Sequence, residues 1–197
     1  MKQKLTVLFA LITILSGFSA KAEEDHKDHH TSHKAHVHGT VELTLALEGN
    51  TLEIRMESPA ANLVGFEHKA TTQKEKAAIK KAEAVLLSPR ELFSFNGSDC
   101  ELKKATADVS GVMGDHEHHE HEEHHQEHGE KGGHDETHSD ILADYHFSCN
   151  SPGNLTSVTV ALFDPFPGIE QINAIWVTET GQGADKLGID QRAIRLR

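Results

Sequence analysis

The chain has 197 residues, with 31 acidic side chains against 19 Lys and Arg, 17 histidines and two cysteines. A net charge of −12 disfavours nucleic acid and anionic lipid as partners, because both would be repelled, and favours cations. The length allows one domain with a real core and excludes the two-lobed architecture typical of transporter-linked solute-binding proteins.

Residues 1–22 read as a signal peptide. Lys2 and Lys4 supply positive charge, Leu5 to Phe18 an apolar run, and Ala20-Lys21-Ala22 a small-x-small cleavage site. Cleavage after Ala22 predicts a periplasmic, secreted chain beginning at Glu23. The apolar run is too short to span a bilayer. No cysteine follows it to carry a lipid, and no later segment is apolar enough, so no membrane insertion of the mature chain is expected. Without the leader, 31 acids stand against 16 bases, a net −15.

Residues 23–35 form a charged, His-bearing arm that is expected to be disordered. From Val41, apolar residues alternate with polar ones: Val41, Leu43, Leu45 and Leu47, then Leu52, Ile54 and Met56 after a Gly49-Asn50 turn. That predicts a hairpin with one buried face. A loop, SPAANLVGFEHKA, follows. Thr72-x-x-Glu75 is a capping box, opening a helix that runs to about Ser88, where Pro89 stops it. Ile79, Ala82 and Leu86 mark its apolar stripe.

Leu92 to Phe95 is a short apolar segment, and Asn96-Gly97 is another turn. A strand is expected between Cys100 and Val112. Another is expected where Ile141, Ala143, Tyr145, Phe147 and Cys149 alternate with polar residues. Val158 to Phe163 and Ile172 to Thr178 read as buried strands, and Ala193 to Arg197 as a last one. The predicted fold is a single α+β domain over 36–197: an antiparallel sheet or sandwich of about seven strands, with one long helix. A flexible His/Glu-rich loop at 114–138 interrupts it.

That loop carries the strongest chemical pattern. Nine histidines and nine acidic residues share positions 115–138. Without large apolar side chains it cannot bury a core, but imidazoles and carboxylates are ligands that zinc takes. His116, His118, His119, His121, His124, His125, His128 and His134 would bind several ions with modest affinity, because ordering a loop around each ion costs entropy.

A defined site needs ligands on rigid elements. Continuing the hairpin's alternation backwards puts His36 and His38 on one polar face with Thr40 and Glu42. Residues i and i+2 on a strand are about 6.5 Å apart, within reach of one ion. The competing reading makes them the end of the charged arm. His68 precedes the capped helix, where a lone histidine is otherwise a surface residue. His138 and Asp140 sit at i, i+2 where the loop re-enters the fold. His146 shares their face but reads as a solvated strand residue.

Zinc is the expected cargo, although Cu²⁺ and Ni²⁺ would bind the same ligands as well or better by the Irving–Williams order. Only two methionines remain in the mature chain, so there is no soft cluster for Cu(I), and Ca²⁺ or Mg²⁺ would want oxygen ligands alone. Neutral imidazole is the ligand form, so affinity should fall as pH drops through about 6.5. Cys100 and Cys149 most simply pair in an exported chain, gathering the loop's two ends at one edge of the fold; two buried free thiols are the alternative. No phosphate loop or nucleophile motif is present, and nothing specifies the open three-ligand zinc of a hydrolase, so no enzyme is predicted.

HVHGTVELTLALEG, ESPAANLVGFEH, the helix beginning TTQKE, Cys100, HSDILADYHFSC and LFDPFPGIEQ together resemble the ZrgA-type family of periplasmic zinc-uptake proteins. They run in the family's order over nearly the whole mature chain. The resemblance implies a zinc-binding component serving a zinc import system of the ABC type, with His36, His38, His68 and His138 as the matching histidines. A periplasmic buffer or detoxification protein without hand-off to a transporter would need the same ligands.

Overall fold

The computed structural model describes residues 37–114 and 139–196. The leader, the 23–35 arm, His36 and the 115–138 tract, including His138, lie outside the described residues.

The predicted hairpin is present. Strands β1 (Thr40–Glu48) and β2 (Thr51–Pro59) pair antiparallel around Gly49-Asn50, with Glu48 opposite Thr51. Alternation decides which side is buried: Val41, Leu43, Leu45, Leu52, Ile54 and Met56 are all at most 1 % exposed. Helix α1 (Ala60–Val64) follows, ended by left-handed Gly65, within the stretch expected to be loop. Helix α2 (Gln73–Leu86) opens on the expected capping box and buries Ile79, Ala82 and Leu86. A third helix, α3 (Pro89–Leu92), leads into β3 (Phe93–Asn96). Then come β4 (Cys100–Asp108), β5 (Asp140–Cys149), β6 (Ser157–Val160), β7 (Gln171–Thr178), β8 (Gly181–Leu187) and β9 (Ala193–Arg195).

These strands form two sheets. Six lie in the order β4-β5-β2-β1-β7-β8, and three in the order β3-β6-β9. Phe93 packs edge-on against Tyr145, and Phe95 against Phe147, joining the inner faces of the two sheets. Residues of both sheets and of α2 share one apolar core.

The α+β expectation with one long helix is therefore corrected. Among the described residues strands dominate, the three α-helices span 5, 14 and 4 residues, and the fold is β-sandwich-like. Nine strands replace the expected seven or so among the described residues. One missed strand, β8, is an edge strand of sequence GQGADKL, with only Leu187 buried. An edge needs no apolar alternation, so period-2 reading cannot find it. The sheet is also mixed, because β1 and β7 run parallel.

The predicted Cys100–Cys149 disulfide forms, joining directly opposed residues of β4 and β5. It does not gather the tract's ends. Asp108 and Leu142 close the ladder at its tract end, eight strand residues away from Cys100, or about 27 Å at a strand's rise. A bulge between Leu102 and Lys104 turns two consecutive lysines outward on this edge strand.

Candidate metal-binding site

Three separated segments meet at Gly39. Its φ of +81° suits glycine, and a Cβ there would lie 3.2 Å from the Glu170 carboxylate. Its N–H donates to Asn62 Oδ1 at 2.7 Å. Its carbonyl accepts from the N–H groups of Glu170 (2.8 Å) and Gln171 (2.9 Å). Asn62 is 5 % exposed and also donates to the Thr40 carbonyl and to Ser58 Oγ. The backbone ahead of β1 is thus fixed by a helix residue and by the start of β7.

Contrary to the alternation reading, the strand does not extend back through His38. Val37-His38-Gly39 is a turn, closed by Thr40 N–H donating to the Val37 carbonyl at 3.0 Å. That turn directs His38 to Glu67, with Nε2 2.9 Å from Oε1. His68, the next residue after Glu67, places its Nε2 3.2 Å from Glu75 Oε1 and its ring 5.0 Å from that of Phe66.

Glu75 is held at its other oxygen. Oε2 accepts from the N–H groups of Thr71 and Thr72, both at 2.9 Å, while Glu75 N–H donates to Thr72 Oγ1. The Thr72 and then the Thr71 backbone N–H bonds hold its carboxyl down to about 2, with a smaller contribution from His68.

Asp140 begins β5, paired with Pro59, and is half-buried. Beside it the Ser139 carbonyl accepts from Ala60 N–H at 2.8 Å, at the start of α1. The structure therefore brings His38 to Glu67 and His68 to Glu75, and sets Asp140 beside α1's start. His146 lies elsewhere, on the outer face of the large sheet, 3.2 Å from Glu53. His36, His138 and His116, His118, His119, His121, His124, His125, His128 and His134 lie outside the described residues. Among the described residues, no group of three or more His, Cys, Asp or Glu side chains is assembled to hold an ion.

The carboxylates were not singled out as site residues in the sequence. Glu67 adjoins His68 there, and Glu75 reads only as a capping residue. Glu170 stands in LFDPFPGIEQ without any local reason to meet Gly39.

Both roots of the His/Glu tract lie next to this region. Ala70 N–H donates to the Val112 carbonyl at 2.8 Å, and Lys69 Nζ to the Ser110 carbonyl at 2.7 Å. A side chain at Gly114 would strike the Ala70 carbonyl, so only glycine's bare Cα fits that approach. On the return side, Ser139 Oγ donates to the Gly111 carbonyl at 3.0 Å. The chain leaves and re-enters the described fold beside the residues that follow His68.

Among the described residues, no helix is long and apolar enough to cross a membrane. No curated protein matches the chain. A family model described as ZrgA family zinc uptake protein matches residues 35–196, nearly all of the chain beyond its first 34 residues. The match contains the His38–Glu67 and His68–Glu75 pairs, the Gly39–Asn62 clamp and the disulfide. By that match the chain belongs to the ZrgA family of zinc uptake proteins.

Proposed function

We propose that this chain is a periplasmic zinc-binding protein that captures Zn²⁺ for an import system, handing it to components of an ABC-type transporter. His38 and His68 contribute to a defined site, with His36, His138 and Asp140 as the other candidate ligands. The 115–138 tract is a low-affinity reservoir feeding it. The observation that carries this reading is the placement of two carboxylate-held histidines beside the roots of a His/Glu-rich tract, in a chain of a zinc uptake family. A tethered His-rich tract beside a fixed site raises local ion concentration there, as a tethered second module does.

Calorimetric titration with Zn²⁺ tests it. Wild-type protein should show two classes of site, and deletion of residues 115–137 should abolish only the weaker class. Loss of all binding on that deletion would refute a defined site outside the tract. Induction of the protein by zinc starvation supports uptake, whereas induction by zinc excess supports buffering or detoxification.

A further inference from the structure

His38 and His68 are presented in the same way. Each places its Nε2 on a carboxylate, Glu67 at 2.9 Å and Glu75 at 3.2 Å. The rings are 63 % and 60 % exposed, whereas the carboxylate side chains are 17 % and 23 % exposed. Each acid therefore lies beneath and its ring above. Among the described residues neither Nδ1 has a hydrogen-bond partner.

An ionised carboxylate can only accept, so a neutral ring bonded to it through Nε2 carries its proton there. The lone pair is then on Nδ1. Glu75 cannot easily turn away, because the Thr71 and Thr72 N–H groups hold its second oxygen. A ligating histidine commonly donates its remaining N–H to a carboxylate, which fixes both tautomer and ring orientation.

Building on the zinc-capture reading above, we infer that Glu67 and Glu75 are positioning residues. They hold His38 and His68 in the Nε2–H tautomer and present Nδ1 of each ring as the zinc-ligating atom. Tautomer choice is thus built into the helix start, since the acid that caps α2 also sets the donor atom of His68.

Long-range ¹H–¹⁵N correlation of the imidazole nitrogens in the full mature chain tests this at pH about 8, where histidine is neutral. The resonances are assigned with His38→Asn and His68→Asn. Both rings should show the proton on Nε2 without zinc, and added zinc should move the Nδ1 resonances. Glutamine at N3 still serves a capping box, but its amide can donate to His68. Glu75→Gln should therefore shift His68 toward the Nδ1–H tautomer while keeping the fold, and weaken zinc binding at that ring about 10-fold or more. Glu67→Gln, away from the cap, should do the same for His38.

Zinc bound through Nε2, or an Nδ1–H tautomer in the zinc-free wild type, would overturn the inference while leaving zinc capture intact. If neither ring responded to zinc, the assignment of these two histidines as ligands would fall, and the inference with it.

Discussion

Asn62 carries more of the site's architecture than any histidine does. One buried amide accepts from Gly39 N–H and donates to the Thr40 carbonyl and Ser58 Oγ, so it ties α1 to the turn bearing His38. Truncation would leave the buried Gly39 N–H without its acceptor. We predict that Asn62→Ala costs about 2 to 3 kcal/mol, the penalty of orphaning a buried donor together with the lost bonds. Urea denaturation checks this, and a loss below about 0.5 kcal/mol, the range of ordinary surface substitutions, would show that the hub is dispensable. Gly39→Ala should cost about 1 to 3 kcal/mol, because alanine is strained at a φ of +81° and its methyl would press on Glu170. Glu75 gives a pH prediction. Its carboxyl is lowered from 4.5 to about 2, so its contribution is fully present above 4.5 and is lost as pH falls through about 2. The stability difference between wild type and Glu75→Gln, followed by urea melts, should therefore narrow as pH falls from 4.5 to 2.

At the scale of elements, the large sheet has two ends with different jobs. The Gly49-Asn50 turn and Cys149 share one end, where Cys149 N–H donates to the Asn50 carbonyl. Thr40, Pro59, Asp140 and Gln171 lie at the other, in register across β1, β2, β5 and β7. The site and the tract's roots belong to this second end. The disulfide is thus a clamp on the β4 edge, remote from the proposed zinc site. Closing a loop with a sequence separation of 49 stabilises the fold by about 4 kcal/mol on the chain-entropy view. Cys100→Ser with Cys149→Ser should lower stability by about 2 to 4 kcal/mol in denaturation, yet leave the tighter class of zinc sites unchanged in calorimetry. A large loss of affinity in a folded double variant would place the clamp closer to the site than the register does.

For the whole molecule, the question is how a long acidic His tract can be inserted without disturbing the core. The described chain on either side is already tied together by Ser139 to Gly111 and by the β4–β5 ladder, and Val112 is fully buried. Closure entropy grows only slowly with loop length, so tract length has little effect on stability. Replacing 115–137 with a short Gly/Ser linker should therefore change the melting temperature by no more than about 3 °C, since loop shortening is worth only about 1 kcal/mol. A large drop in thermal scans would show that the tract contributes contacts of its own. The same anchoring keeps the tract's roots beside the residues that follow His68.

Much of this molecule is legible residue by residue. Alternation fixed the buried faces of β1, β2 and β5, because a strand's sides repeat every second residue whatever its neighbours are, whereas β7, expected to be buried throughout, exposes Ile175 and Val177. Thr72-x-x-Glu75 marked the start of α2, because a capping box is satisfied within one turn. The His and Glu content made a divalent cation the expected cargo, because ligand type is a property of the side chain. Tertiary structure decided the rest. No local pattern puts β7 parallel beside β1, makes an edge strand of GQGADKL, or ends the His38 strand at a turn. His38 meets a carboxylate 29 residues away, and Gly39 meets Glu170, only because α1 and β7 converge on one sheet end. Composition pointed to a divalent metal cation, and long-range packing chose which of the described histidines stand on held carboxylates.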